Sequence, residues 1–270
     1  MVEPGEEPPR SLTIRDMNQE DEYFVGTCSH EGESSEMDEC AVDRLMWIKE
    51  MIPKSLKVKV ALADGRHAGF LHLMPIEMSP SGPAGREVCV IPCLYVLKRA
   101  GGWGIGKALM EAAERDARAM GKKALVVEAY YHEFWFMPAP FFEKCGFAVV
   151  KRSGHRALLW KKFDEDAEPP DWVPEEPPLK PAKDKVVVEL YWNRFCQTSS
   201  IESRRVKEVV AEFGERALLV EHEIADMEDL RKHKKSRGIF VDGTEIWWGY
   251  EAPKEGIREA ITKALQQVRN

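Results

Sequence analysis

The chain has 270 residues, 44% of them hydrophobic, with a formal net charge of −7 and six cysteines. That length and apolar content suit two small domains with cores of their own, and no apolar run reaches the length of a membrane span. Neither half is basic, so the electrostatic footprint of a nucleic-acid binder is missing.

Residues 1–10 are acidic and proline-rich, the opposite of a secretory leader, and read as a disordered arm. Leu12-Thr13-Ile14 alternates as a first strand. Cys40–Met51 reads as a helix stopped by Pro53, with Val42, Leu45, Met46 and Ile48 on one face. Val58–Ala63, a turn at Asp64-Gly65-Arg66 and Ala68–Leu73 read as a hairpin. Glu87–Val96 is the next strand, and a glycine-rich turn follows it. A helix then carries Ile105, Leu109, Ala112, Ala113, Ala117 and Met120 at helical spacing, with Lys107, Glu111, Glu114, Arg115 and Arg118 opposite and Gly121 as its stop. Ala124–Ala129 is a short buried-type strand, Phe141–Phe147 holds a helix end, and Leu158–Lys161 reads as a last strand of this half.

The turn is the most informative segment. Gly101, Gly102, Gly104 and Gly106 let the chain turn tightly and leave amide N–H groups uncovered just where a helix begins. The first N–H groups of that helix lack partners, and its dipole end favours a pyrophosphate. A dinucleotide-binding turn needs a third glycine where Lys107 stands, and a P-loop needs Ser or Thr where Ala108 stands. An ordinary strand-to-helix loop explains one or two of the glycines but not four.

Leu94-Tyr95-Val96, followed by Gly104-Ile105-Gly106-Lys107-Ala108-Leu109, resembles the coenzyme A motif of the GNAT N-acetyltransferases. Phe141-Phe142-Glu143-Lys144-Cys145-Gly146-Phe147 resembles a second motif of that family, and the likeness extends over residues 11–163. It implies acetyl-CoA as co-substrate, with its pyrophosphate on the backbone of Gly101, Gly102, Trp103, Gly104, Ile105, Gly106 and Lys107. It also implies a thioester carbonyl held by N–H groups of Leu94, Tyr95 and Val96, direct attack by an amine of a small molecule or protein, and no metal. Gly101 stands where the family usually carries Arg or Gln, with Lys98 and Arg99 nearby to supply a cation. Phe142 stands where the family often carries a proton-donating Tyr. The acid and base are therefore sought among Glu128, Tyr130, Tyr131, His132 and Glu133, a largely aromatic stretch that also reads as core lining.

Residues 164–184 hold six prolines and eight acids against two lysines, and read as a stiff linker that carries most of the net charge. Residues 185–270 read in the order βαβ-α-ββ-α, which resembles the thioredoxin fold. Trp192, Phe195-Cys196 and Ser199 stand where that fold carries its redox motif. The whole resembles the YoaP-type GNAT proteins, an α/β (α+β) architecture of a GNAT fold followed by a small thioredoxin-like domain. Cys196 at a helix start suits thiolate chemistry or recognition, and Ser199 removes an internal resolving thiol. Cys28, Cys40, Cys89, Cys93, Cys145 and Cys196 form no C-x-x-C, which fits reduced thiols in a cytoplasmic protein. Three readings stay open: an acetyltransferase, a monothiol redox or thiol-carrier protein, and a CoA-binding scaffold without turnover.

Overall fold

Period-two runs of Val, Leu and Ala alternate between the faces of a sheet, and period-3.6 stripes cover those faces. The computed structural model describes residues 8–132, 136–174, 176–177, 185–247 and 251–268. In chain order the N-terminal elements are β1 (Leu12–Asp16), α1 (Glu22–Gly26), α2 (Ser35–Met51), β2 (Lys57–Ala63), β3 (Arg66–Pro75), β4 (Pro83–Ala84), β5 (Val88–Val96), α3 (Ile105–Ala119), β6 (Ala124–Tyr130), α4 (Ala139–Lys144), β7 (Ala148–Ser153) and β8 (Arg156–Lys162). After β9 (Asp171–Trp172) come β10 (Val186–Trp192), α5 (Gln197–Glu212), β11 (Ala217–Glu223), α6 (Met227–His233), β12 (Gly238–Val241), β13 (Thr244–Ile246) and α7 (Lys254–Val268).

The first sheet runs β1-β2-β3-β5-β6-β8-β7, a mixed α/β arrangement in which β5 and β6 are the parallel pair. On one face Leu71, Leu73, Cys89, Ile91, Leu125 and Val127 pack against Ile105, Leu109, Ala113 and Ala117 of α3. On the other, Val58, Val60, Phe70, Val90 and Val126 pack against Phe24 of α1 and Trp47 and Ile48 of α2. Leu109 is wholly buried, and such a side chain contributes roughly 1.5–3 kcal/mol by leaving water.

The face of α2 differs from its sequence reading. Val42 and Met46 are exposed, while Cys40, Ala41, Arg44, Trp47, Ile48 and Met51 point inward. The apolar pattern misleads because a guanidinium, that of Arg44, occupies the buried stripe. The strand at Ala148–Ser153 is likewise absent from the sequence reading; it is an exposed edge strand with charged side chains, and β8 inserts between it and β6.

A further C-terminal β/α region follows, with sheet order β11-β10-β12-β13 and a parallel β10–β11 pair. Val206 and Val209 of α5 and Ile257 and Ile261 of α7 pack on one face of this sheet. Its other face carries Tyr191, Leu230 and Phe240, which join the cluster built on α1 and α2, so the two sheets share one apolar core. Helix α5 lies along α2: Arg205 forks onto Glu36 at 2.6 and 2.9 Å, Arg204 reaches Asp43 at 3.1 Å, and Gln197 donates to the Met37 carbonyl at 2.8 Å. Within the proline-rich stretch, β9 pairs with β4 in a separate two-stranded sheet, which ties this part of the connection to the segment between β3 and β5.

Candidate active site

Strands β5 and β6 pair only from Val88 opposite Ala124 to Val90 opposite Val126. Beyond that the strands separate, and β5 runs on to Val96 paired with β3 alone. An irregularity in register between His72 and Met74 of β3 marks the point where β5 bends away, at Ile91-Pro92. A proline donates no ladder hydrogen bond, which suits this break. Leu94, Tyr95 and Val96 therefore line the open side of a wedge between two strands.

The glycine turn lies directly after β5. Gly102 (φ 84°) and Gly104 (φ 76°) both adopt the left-handed backbone that glycine takes without strain. Gly104 caps α3 with no side-chain hydrogen bond to its first turn, and a Cβ placed there would meet nothing within 4 Å. Backbone N–H groups at the start of a fifteen-residue helix thus face open space, the geometry a pyrophosphate uses. Gly106 packs closely on Phe141, where a Cβ would come within 3.0 Å of the ring.

A cavity of about 560 Å³ opens at the wedge, between the first sheet and the C-terminal region. Val90, Ile91 and Pro92 of β5 and Glu128 and Tyr130 of β6 form one wall, and Asn193, Phe195, Cys196 and Arg237 form the facing wall. The Tyr130 hydroxyl donates to Glu128 Oε1 at 2.8 Å. The Trp172 indole donates to Glu128 Oε2 at 2.9 Å, and Arg156 reaches the same oxygen at 2.7 Å. The Arg156 guanidinium also lies 4.8 Å above the Trp172 ring. These donors hold the carboxylate in one orientation. Burial first, and the neighbouring Glu128 second, push the Tyr130 phenol well above its ordinary range, so it keeps its proton at neutral pH.

On the facing wall Cys196 is the N-cap of α5, its N–H donating to Asn193 Oδ1 at 3.0 Å. Ser199 is fully buried and accepts the Asn193 N–H at 3.0 Å, so in this turn the hydroxyl closes the loop. Arg237 bonds Glu202 at 2.8 Å; burial opposes its charge, and Cys196 and Glu202 more than offset that. Lys234 and Lys235 tie Glu176 of the proline-rich stretch to the same rim.

Of the residues named from sequence, Glu128, Tyr130 and Cys196 meet in this cavity. His132 stacks on Tyr130 at 5.3 Å. Tyr131 does not line the cavity: its hydroxyl bonds Glu143 at 2.5 Å and its ring sits under Arg152. Alternation along the chain sends neighbouring side chains to opposite sides, which separates Tyr130 from Tyr131. Glu133 lies outside the described residues. Phe142 is fully buried in the apolar cluster under α3 and offers no proton. Sequence reading missed Trp172, Arg156 and Arg237; the first sits in what reads as linker, and the other two in unremarkable polar runs. Among the described residues no group of three or more His, Cys, Asp or Glu has metal-holding geometry, and no helix is long and apolar enough to cross a membrane.

Residues 54–149, from just before β2 into β7, match the family model described as an acetyltransferase (GNAT) domain. No curated protein matches the chain. Among solved structures, the chain is similar to the paia N-acetyltransferase of Thermoplasma acidophilum in complex with coenzyme A, at 22% identity and TM-score 0.42 over 57% of this chain and 99% of that one. It is also similar to the yncA protein of Salmonella typhimurium with its cofactor acetyl-CoA, at 19% identity and TM-score 0.43 over 58% and 97%. Ard1 of Thermoplasma volcanium gives 20% identity and TM-score 0.40 over 57% and 99%.

Proposed function

We propose that this protein transfers an acetyl group from acetyl-CoA to an amine bound in the cavity between its two sheets. The observation that carries the reading is the wedge between β5 and β6: the free edge of β5 leads on toward the glycine turn, and the Glu128–Tyr130 pair of β6 lines the cavity that opens beside Val90, Ile91 and Pro92. The family match over residues 54–149 supports the acetyl-CoA assignment.

In this reading N–H groups of residues 101–107 take the pyrophosphate, and N–H groups of Leu94, Tyr95 and Val96 steady the thioester oxygen as negative charge develops on it. Glu128, oriented by Arg156 and Trp172, accepts the proton the attacking amine gives up. Tyr130, still protonated, supplies a proton to the departing thiolate, and its hydrogen bond to Glu128 returns one. The amine attacks directly, without an acyl-enzyme. We read the C-terminal region as thioredoxin-like and assign it to acceptor recognition, since Asn193, Phe195, Cys196 and Arg237 form the wall opposite the carboxylate. Six unbridged cysteines fit a cytoplasmic setting.

The test is release of coenzyme A thiol from acetyl-CoA across a panel of amines, with acetyl-CoA affinity measured separately by calorimetry. Amine-dependent release supports the reading. Binding without release for every amine would leave a CoA-binding scaffold, and absence of binding would remove the assignment.

A further inference from the structure

The cavity between the sheets carries its charges on separate walls. On the sheet side Arg156 meets Glu128 at 2.7 Å, so guanidinium and carboxylate offset each other. On the facing side the segment between α6 and β12 brings Lys234, Lys235 and Arg237 to the same cavity. Two contacts fix that segment: the Asn193 amide donates to the Ser236 carbonyl at 3.0 Å, and Arg237 Nε donates to Glu202 at 2.8 Å. The cations are thereby presented on a wall tied to the start of α5.

Glu176 and Glu245 are the acids that line this side. Glu176 pairs with Lys234, and Glu202 behind the wall pairs with Arg237. Glu245 is exposed and forms no ion pair among the described residues. Among the described residues Lys235 is the cavity cation without a carboxylate. Its ammonium donates to the Glu176 main-chain carbonyl and lies 5.5 Å from the Tyr191 ring and 5.4 Å from the Phe240 ring. An ammonium offers more donors than one carbonyl takes up, and a half-buried charge beside apolar rings gains from an anion. Basic residues near a helix C-terminus are ordinary, which accounts for the exposed Arg231 and Lys232 but not for a lysine that lines the cavity.

We propose that the acceptor is a small amine that also carries a carboxylate, an amino acid, and that Lys235 binds the carboxylate while Glu128 takes the amine. This substrate class rests on the acetyl-transfer reading. A cavity of about 560 Å³ falls in the range of small-molecule sites, and Val90, Ile91, Pro92 and Phe240 supply apolar lining for a carbon skeleton. The charge layout also sets the direction of binding. Lys234, Lys235 and Arg237 repel an ammonium, which is drawn instead to Glu128, and they attract the carboxylate at the other end. The nitrogen is thus turned toward the wedge between β5 and β6.

The experiment titrates the full-length chain, without acetyl-CoA, with α- and ω-amino acids, each paired with its carboxamide, and reads affinity by calorimetry. Coenzyme A release is then measured for the same pairs. For at least one pair the carboxylate form should bind at least about tenfold more tightly than the carboxamide, as a hydrogen bond to a charged group predicts. In Lys235→Met the ratio of the two affinities should approach unity, with acetyl-CoA affinity on the same sample as the check on folding. Comparing this ratio between parent and variant cancels the difference in amine basicity within a pair. Lys235→Arg, which keeps the charge, should retain the preference. Should Lys235→Met not fold, Lys235→Gln takes its place with the same expectation. Equal affinity within every pair, no binding by any compound, or a preference that survives loss of the Lys235 charge would overturn the proposal. Release of coenzyme A alongside equal affinities would keep acetyl transfer and overturn the substrate class. Carboxylate-selective binding through Lys235 without release would support the carboxylate site and count against acetyl transfer instead.

Discussion

The indole of Trp172 donates to Glu128 at 2.9 Å across 44 residues of sequence, so a side chain from the proline-rich stretch orients a carboxylate that lines the candidate active site. β9 holds it there by pairing Trp172 with Pro83. Replacing Trp172 with Phe keeps a ring under Arg156 and removes the N–H. A hydrogen bond to a charged group is worth about 1.5–3 kcal/mol, so kcat/KM for the acceptor should fall roughly tenfold or more. Acetyl-CoA affinity should stay unchanged, as calorimetry would register.

Tyr130→Phe removes the proposed proton donor but preserves the stack with His132. Loss of a positioned acid lowers kcat by about 10²–10⁴-fold, and KM for the acceptor should change far less. The direction of the Tyr130 shift adds a pH prediction. A donor whose pKa is raised stays protonated further into alkali, so Tyr130 should impose no alkaline loss of rate below the ordinary phenol value of about 10. A pH–rate profile carried to that limit, in a buffer series of constant ionic strength, checks this.

Gly104→Val forces a β-branched residue into φ 76° at the cap of α3. Such strain costs on the order of 1–3 kcal/mol, and the new side chain projects into the space proposed for the pyrophosphate. Acetyl-CoA affinity should drop at least about tenfold. Gly154→Ala is the control: it meets comparable backbone strain (φ 58°) with open space around it, at a turn remote from α3, and should leave affinity alone.

The α2–α5 seam should loosen in acid. The hydrogen bonds from Arg205 hold the Glu36 carboxyl below its ordinary range. A depressed folded pKa means stabilisation that is present above the unfolded value of about 4.3 and lost as pH falls through the folded value. Arg205→Ala should therefore lower stability at pH 7 by about 1 kcal/mol, given partial exposure, and the two proteins should converge below the folded pKa of Glu36. Urea titrations at several pH values measure the difference.

Much of the fold is legible in the sequence because it rests on local signals. The α3 stripe of Ile105, Leu109, Ala113 and Ala117 and the glycines before it predict a helix, a tight turn and an uncovered backbone without reference to the rest of the chain. What escapes sequence is set by partners far along the chain. Arg44 falls outside the apolar stripe read for α2, and only the fold brings the rings of Phe70 and Phe195 to its buried guanidinium. Trp172 reads as linker until Pro83 supplies a strand for it to pair with. Tyr130 and Tyr131 look alike as residues, and only the end of β6 and its register with β8 give them different sides. The β5–β6 wedge follows from a bend at Ile91-Pro92, a break in the strand that the family resemblance implies and that the apolar pattern alone does not mark.

The central claim, that Glu128 serves an amine-to-acetyl-CoA transfer in the cavity between the sheets, is tested most directly by comparing the parent chain with Glu128→Gln. The measurement is coenzyme A thiol release under saturating acetyl-CoA, with acetyl-CoA affinity determined on the same samples. The prediction is that amine-dependent release by the variant falls by about 10²-fold or more at neutral pH while acetyl-CoA binds with parental affinity. Release at the parental rate by a variant that binds acetyl-CoA normally would contradict it.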